Sequence, residues 1–186
     1  MSTRRLVAGA AALPVILAAG VWTGLGGAGL GAESAAPTGF SARLNGAQEV
    51  PKPKGLKTGA QGTFTGALVR SGAGGTLSWK LTFQGLTGKA TASHIHLGAR
   101  GRAGGVKVSL CGPCRTGSRG SARVDAKTIA ALMAGTAYVN VHTARNAAGE
   151  IRGQIAKTAK PPQVPPPTVT NATTAGTTTD DPDPYP

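Results

Sequence analysis

Leu77, Trp79, Leu81 and Phe83 alternate with Ser78, Lys80 and Thr82, the period of two that a strand shows when one face is buried. Phe40, Ala42 and Leu44 alternate in the same way, and Thr63 to Val69 predicts another strand with Phe64 as its large residue. Ala92 to Leu97, Val106 to Leu110, Tyr138 to His142 and Ile151 to Ile155 bring the set to about seven short strands with glycine-rich links. Strands this short and this evenly spaced predict an all-β, antiparallel sandwich or small barrel. One helix interrupts them. Asp125 is placed to cap it, because a carboxylate there accepts the free amide hydrogens of the first turn. Ile129, Leu132 and Met133 fall on one side, and Gly135 can close the end. So short a helix must lean on the strands for its stability.

Both ends lose this pattern. Residues 1–36, the end approximate, read as an export signal: Arg4 and Arg5 supply its positive start, Leu6 to Trp22 is apolar, and small residues follow at Ala28, Ala32 and Ala36. The apolar run contains Pro14 and is shorter than the ~20 residues a bilayer span needs, so no stable membrane span is expected after cleavage. From Lys157 onward Pro and Thr dominate, which predicts a disordered tail over residues 157–186, because such a composition buries too little surface to offset its ordering entropy. One domain remains, residues 38–156, in a protein expected to be secreted or associated with the cell envelope.

Charge narrows the function. The chain carries 20 Lys and Arg against 7 Asp and Glu, and residues 40–160 hold 18 of the bases with only three acids, a net of +15. Arg100, Arg102, Lys107, Arg115, Arg119 and Arg123 follow one another with no acid between them, in a stretch that reads mostly as loop. A patch of that kind concentrates anions. Outside a cell these are wall polymers, lipid headgroups and glycans. Nucleic acid is not the expected partner, because export removes it and aromatic residues, 4% of the chain, are too few to stack bases. No nucleophile–base pair and no phosphate-cradling loop stand out, so hydrolase and kinase readings have no support.

Three blocks carry a resemblance. LNGAQEVP (Leu44 to Pro51), LTFQGLTGKATASHIHLG (Leu81 to Gly98) and LMAGTAYVNVHTARNAAGEIRGQI (Leu132 to Ile155) resemble, in the same order, the motifs of the chordin-type (CHRD) domain family. The chain looks like a single, secreted, bacterial-type copy. The resemblance implies an immunoglobulin-like, Greek-key β-sandwich of the kind found in secreted proteins. In animals, copies of the domain sit in an extracellular growth-factor antagonist. The cysteine-rich modules of that protein are absent here, so growth-factor binding is not carried over.

The chain has three histidines, all inside these blocks. His94 and His96 are two apart on one predicted strand and so share a face, while Ile95 and Leu97 point inward. Val139 and Val141 take the inward parity of the Tyr138 to His142 strand, which puts His142 outward. If the two strands are neighbours, three imidazoles meet on one outer patch, a donor set that suits copper or zinc with a fourth position open. The pattern also resembles the copper half of the copper/zinc superoxide dismutase site, with Arg152 in the place of that enzyme's anion-guiding arginine; the bridging histidine and zinc ligands have no counterpart. Glu150, Arg152 and Gln154 are the expected supporting residues. The alternative is that the histidines bond one another, or Glu150 and Gln154, and fix strand register.

Cys111-Gly112-Pro113-Cys114 copies the thioredoxin tetrapeptide, but Arg115 to Gly120 is a loop sequence where a redox thiol needs a helix start, so an extracellular loop disulfide is expected. A zinc site joining these cysteines to His94 and His96 would demand reducing conditions. The leading expectation is a non-enzymatic binding or envelope-associated module whose basic loops meet an anionic polymer or glycan; the alternative is a copper- or zinc-binding protein. Oligomeric state is not legible.

Overall fold

The computed structural model describes residues 36–163. The segment expected to be an export signal and most of the expected Pro/Thr-rich tail lie outside them. The described residues form nine strands: β1 (Thr38–Asn45), β2 (Gln61–Ser71), β3 (Gly74–Gln84), β4 (Ala90–Leu97), β5 (Val106–Cys111), β6 (Ser118–Val124), β7 (Ala137–Thr143), β8 (Ile151–Gln154) and β9 (Ala156–Lys157). A short 3-10 turn spans Gly46–Gln48, and one helix, α1, spans Ala126–Met133.

All pairings are antiparallel. The order β5-β4-β7-β8-β1-β2-β3-β6 makes one sheet, with β9 pairing β1. The two edge strands, β5 and β6, lie near each other, so the sheet curls into a nearly closed, barrel-like shape around its core. The expectation of two facing sheets therefore meets one continuous sheet. Continuity comes from β1, which pairs β2 along its length and meets β8 through Asn45 opposite Arg152.

The predicted alternation builds the interior. Phe64, Gly66 and Leu68 of β2 stand opposite Leu81, Trp79 and Leu77 of β3, and all six are buried. Trp79 has a glycine on both sides, Gly66 on β2 and Gly120 on β6. A methyl group on Gly120 would come within 2.9 Å of Trp79 Cζ2, so the missing side chain makes room for the indole. Each buried Leu or Phe contributes roughly 1.5–3 kcal/mol. Asp125 caps α1 as expected, its Oδ1 accepting from the Thr128 N–H at 2.8 Å, and Ile129 and Leu132 are buried. Met133 is 43% exposed rather than packed with them.

Two elements escape the sequence pattern. The loop expected over Arg115 to Gly120 gives way at Ser118 to β6, whose inward positions are Gly120, Ala122 and Val124, too small to register as a hydrophobic stripe. The expected tail begins as structure, since Lys157 pairs with Phe40 and the Thr158 N–H donates to Gly39 O at 2.9 Å.

Candidate metal centre

β4 and β7 are direct neighbours. His96 stands opposite Tyr138, His94 opposite Asn140, and His142 is therefore the diagonal neighbour of His94. One ring nitrogen from each of the three histidines lies within 4.8 Å of the others. Donors on a tetrahedral zinc at ~2.0–2.1 Å sit ~3.3 Å apart, so closing the set needs side-chain movements of about 1 Å.

Parity places all three on the face opposite Val139, Val141 and Ile95, as expected, yet that face is not open. His96 is 7% exposed and His142 8%, and every residue of β7 is buried. Two loops cover the face. The β4–β5 loop sets Gly104 O against His96 Nδ1 at 2.8 Å, and the β7–β8 loop sets Ala147 O against His142 Nδ1 at 2.9 Å. A carbonyl only accepts, so each Nδ1 carries the proton and each Nε2 keeps a bare lone pair. His96 Nε2 is buried without a hydrogen-bond partner. His142 Nε2 lies 3.0 Å from His94 Nδ1, which must then be the donor. The histidines thus bond one another, the alternative foreseen from sequence, while presenting a ligand set. His94 is only half-buried and leaves the cluster open on its side.

Burial and neighbouring charge favour the neutral form of His94 and His142. Burial, then the neighbouring His142 and His96, hold the His94 imidazole below its ordinary value. Burial also lowers His142, helped by His96 and opposed by the Ala147 carbonyl. Neutral imidazoles are the form that binds metal.

The expected supporting residues lie elsewhere. Glu150 is fully buried and accepts from the Thr87 and Thr143 hydroxyls at 2.5 Å and from Asn146 Nδ2 at 3.1 Å, touching no histidine. Burial pushes its carboxyl up, but these hydrogen bonds outweigh it and leave it below the usual value. Gln154 Nε2 donates to the carbonyls of Gly98, Gly135 and Ala137, tying loop ends together. Arg152 lies 3.4 Å from the centroid of the Tyr138 ring, and that ring stacks on His96 with centroids 4.9 Å apart. Arg152 therefore reaches the histidines only through Tyr138. Among the residues that hold the rings, Tyr138 and Ala147 carried no signal beyond their place in a motif, and Gly104 lies outside all three blocks.

The six basic residues do not form one patch. Arg100 and Arg102 are exposed on the loop over His96, Arg115 lies at the opposite end of β5, and Arg119 and Arg123 project from β6. Lys107 Nζ pairs with Asp125 Oδ2 at 2.8 Å. Cys111 and Cys114 form a disulfide, which removes them as metal ligands.

A family model described as the CHRD domain matches residues 40–155, from within β1 through β8. The chain belongs to the CHRD domain family. Neither curated proteins nor solved structures give a match. The CHRD domain accounts for every described strand except β9, and the three histidines all fall inside it. No helix among the described residues is long and apolar enough to cross a membrane.

Proposed function

We propose that this CHRD domain is an exported, non-enzymatic metal-binding module that holds zinc or copper through His94 Nδ1, His96 Nε2 and His142 Nε2. The observation that carries the reading is the fixed tautomer of two rings: loop carbonyls take the Nδ1 protons of His96 and His142 and leave the Nε2 lone pairs to the cluster. Such outer hydrogen bonds orient metal-bound histidines and raise their basicity. A bound ion would displace the proton that His94 shares with His142, and three nitrogen donors leave a fourth position for water or an exogenous ligand. Titrating zinc and copper into the purified protein, followed by calorimetry, tests it. One ion per chain is expected, with binding at least about tenfold weaker in His94→Ala. Equal uptake by both proteins would refute the site.

A second reading, contact with an anionic envelope polymer, is favoured by one observation. Lys80 and Arg119 are direct cross-strand partners on the exposed side of β3 and β6, with Arg123 beyond them. Like charges placed opposite are destabilising, and a polyanion laid across them would offset that cost. Retention on purified envelope polymer should fall with salt and in a Lys80→Gln, Arg119→Gln variant; retention indifferent to both removes the reading.

A further inference from the structure

We propose a second site, for a small oxyanion of the phosphate, sulfate or carboxylate type, in the recess between the Gly46–Gln48 turn and the β4–β5 loop. The recess encloses about 210 Å³, and its wall includes Gln48, Lys52, Arg100, Arg152 and Gln154. Three of these are cations, and no acid lines the space.

Arg152 makes the case. It is 1% exposed, and its Nη1 has no hydrogen-bond partner. Nη2 donates to Ala99 O at 3.0 Å and to Gln154 Oε1 at 3.4 Å. Among the described residues the sole ion pair is Lys107 with Asp125, so Arg152 has no carboxylate within 4.0 Å. Buried guanidinium groups are ordinarily paired, because leaving one uncompensated is costly. The Tyr138 ring beneath it supplies a cation–π contact, which only partly replaces an anion. Glu49, also buried, supplies negative charge that favours the Arg152 cation, but no Glu49 oxygen lies within 4.0 Å of it and Glu49 Oε2 is itself unpartnered. Arg100 adds a second positive charge on the same side.

The remaining cations are poised rather than committed. Arg100 is exposed and makes one long bond, Nη1 to Gln48 Oε1 at 3.3 Å, leaving most of its five N–H donors free. Lys52 is exposed and donates to Ala47 O, with two further hydrogens available. An oxyanion in the recess offers acceptors to Lys52 and Arg100, places negative charge beside the buried Arg152 guanidinium, and relieves the repulsion between the two guanidinium groups. The volume leaves room for the anion and some of its water.

The site stands independently of the metal, so it is tested on chelator-treated protein and again on His94→Ala. Inorganic phosphate, sulfate and acetate are titrated in separate arms at constant ionic strength set with NaCl, while backbone amide NMR shifts are followed. The expected result is saturable shifts at Gln48, Arg100, Gly101 and Gln154, unchanged in His94→Ala and at least tenfold weaker in both Arg100→Gln and Lys52→Gln. Saturation by acetate as well as phosphate assigns a carboxylate-tolerant site; saturation by phosphate and sulfate alone assigns a tetrahedral oxyanion. Shifts that grow linearly with concentration, spread over the whole basic surface or persist in both charge variants would overturn the proposal.

Discussion

As proposed ligands, His94, His96 and His142 must be neutral bases, and burial holds His94 and His142 below the ordinary imidazole value. The unfolded chain takes up protons near pH 6.5, while folded His94 and His142 resist protonation. Stability of the metal-free protein therefore falls as pH drops through 6.5, because the unfolded state binds more protons. Glu49 works in the opposite sense. Its pKa rises from 4.5 to about 6, chiefly through burial, so its ionised form costs stability above pH 6 and the cost is relieved between pH 6 and 4.5. The shift bounds the effect at about 2 kcal/mol. Glu49→Gln should therefore be more stable than the natural protein at pH 7.5, with the advantage shrinking toward pH 4.5. Urea unfolding at the two pH values measures it; an advantage independent of pH would show that Glu49 is not the titrating group. Gly149 adds a steric marker in the same region. Its φ is +137°, and a Cβ there would collide with Glu49 Oε2 and lie 2.8 Å from Asn140 Nδ2, so Gly149→Ala should lower the melting temperature and disturb the polar layer beneath the loops.

Element by element, legibility followed side-chain size. β3 was readable because Leu77, Trp79 and Leu81 fill its inward positions, and α1 because Asp125 and Gly135 mark its ends. β6 was not, because its inward face is Gly120, Ala122 and Val124, chosen by the bulk of the Trp79 indole across the ladder. Gly120→Ala should destabilise the domain by about 1–3 kcal/mol through overpacking against Trp79, and thermal unfolding reads it directly. If the variant is as stable as the natural protein, the indole does not need that space. The cap of α1 yields a paired comparison. Asn caps a helix as well as Asp, so Asp125→Asn should keep the helix and lose only the Lys107 pair, whereas Asp125→Ala loses both and melts lower.

For the whole molecule, the strand parities of the histidines could be read from sequence, but their meeting could not. It depends on β4 and β7 being neighbours and on a two-residue diagonal offset in register, and neither follows from patterning within one strand. Burial of the cluster was equally hidden. It arises because the β4–β5 and β7–β8 loops close over the outer face of the sheet, and their glycine-rich and alanine-rich sequences look like ordinary connections. Those same loops fix the tautomers and bring Arg100 beside Arg152, so one covering layer shapes both proposed sites. An ion that binds only the folded chain must stabilise it by mass action, about 2.7 kcal/mol at a free concentration one hundred times the Kd. Zinc should therefore raise the melting temperature of the natural protein and leave that of His94→Ala nearly unchanged. The most direct measurement is X-ray absorption at the metal edge of the protein loaded with one equivalent of zinc. Three imidazole nitrogens at ~2.0–2.1 Å are expected, falling to two in His94→Ala. A shell of oxygen ligands alone, or the same spectrum from both proteins, would contradict the account.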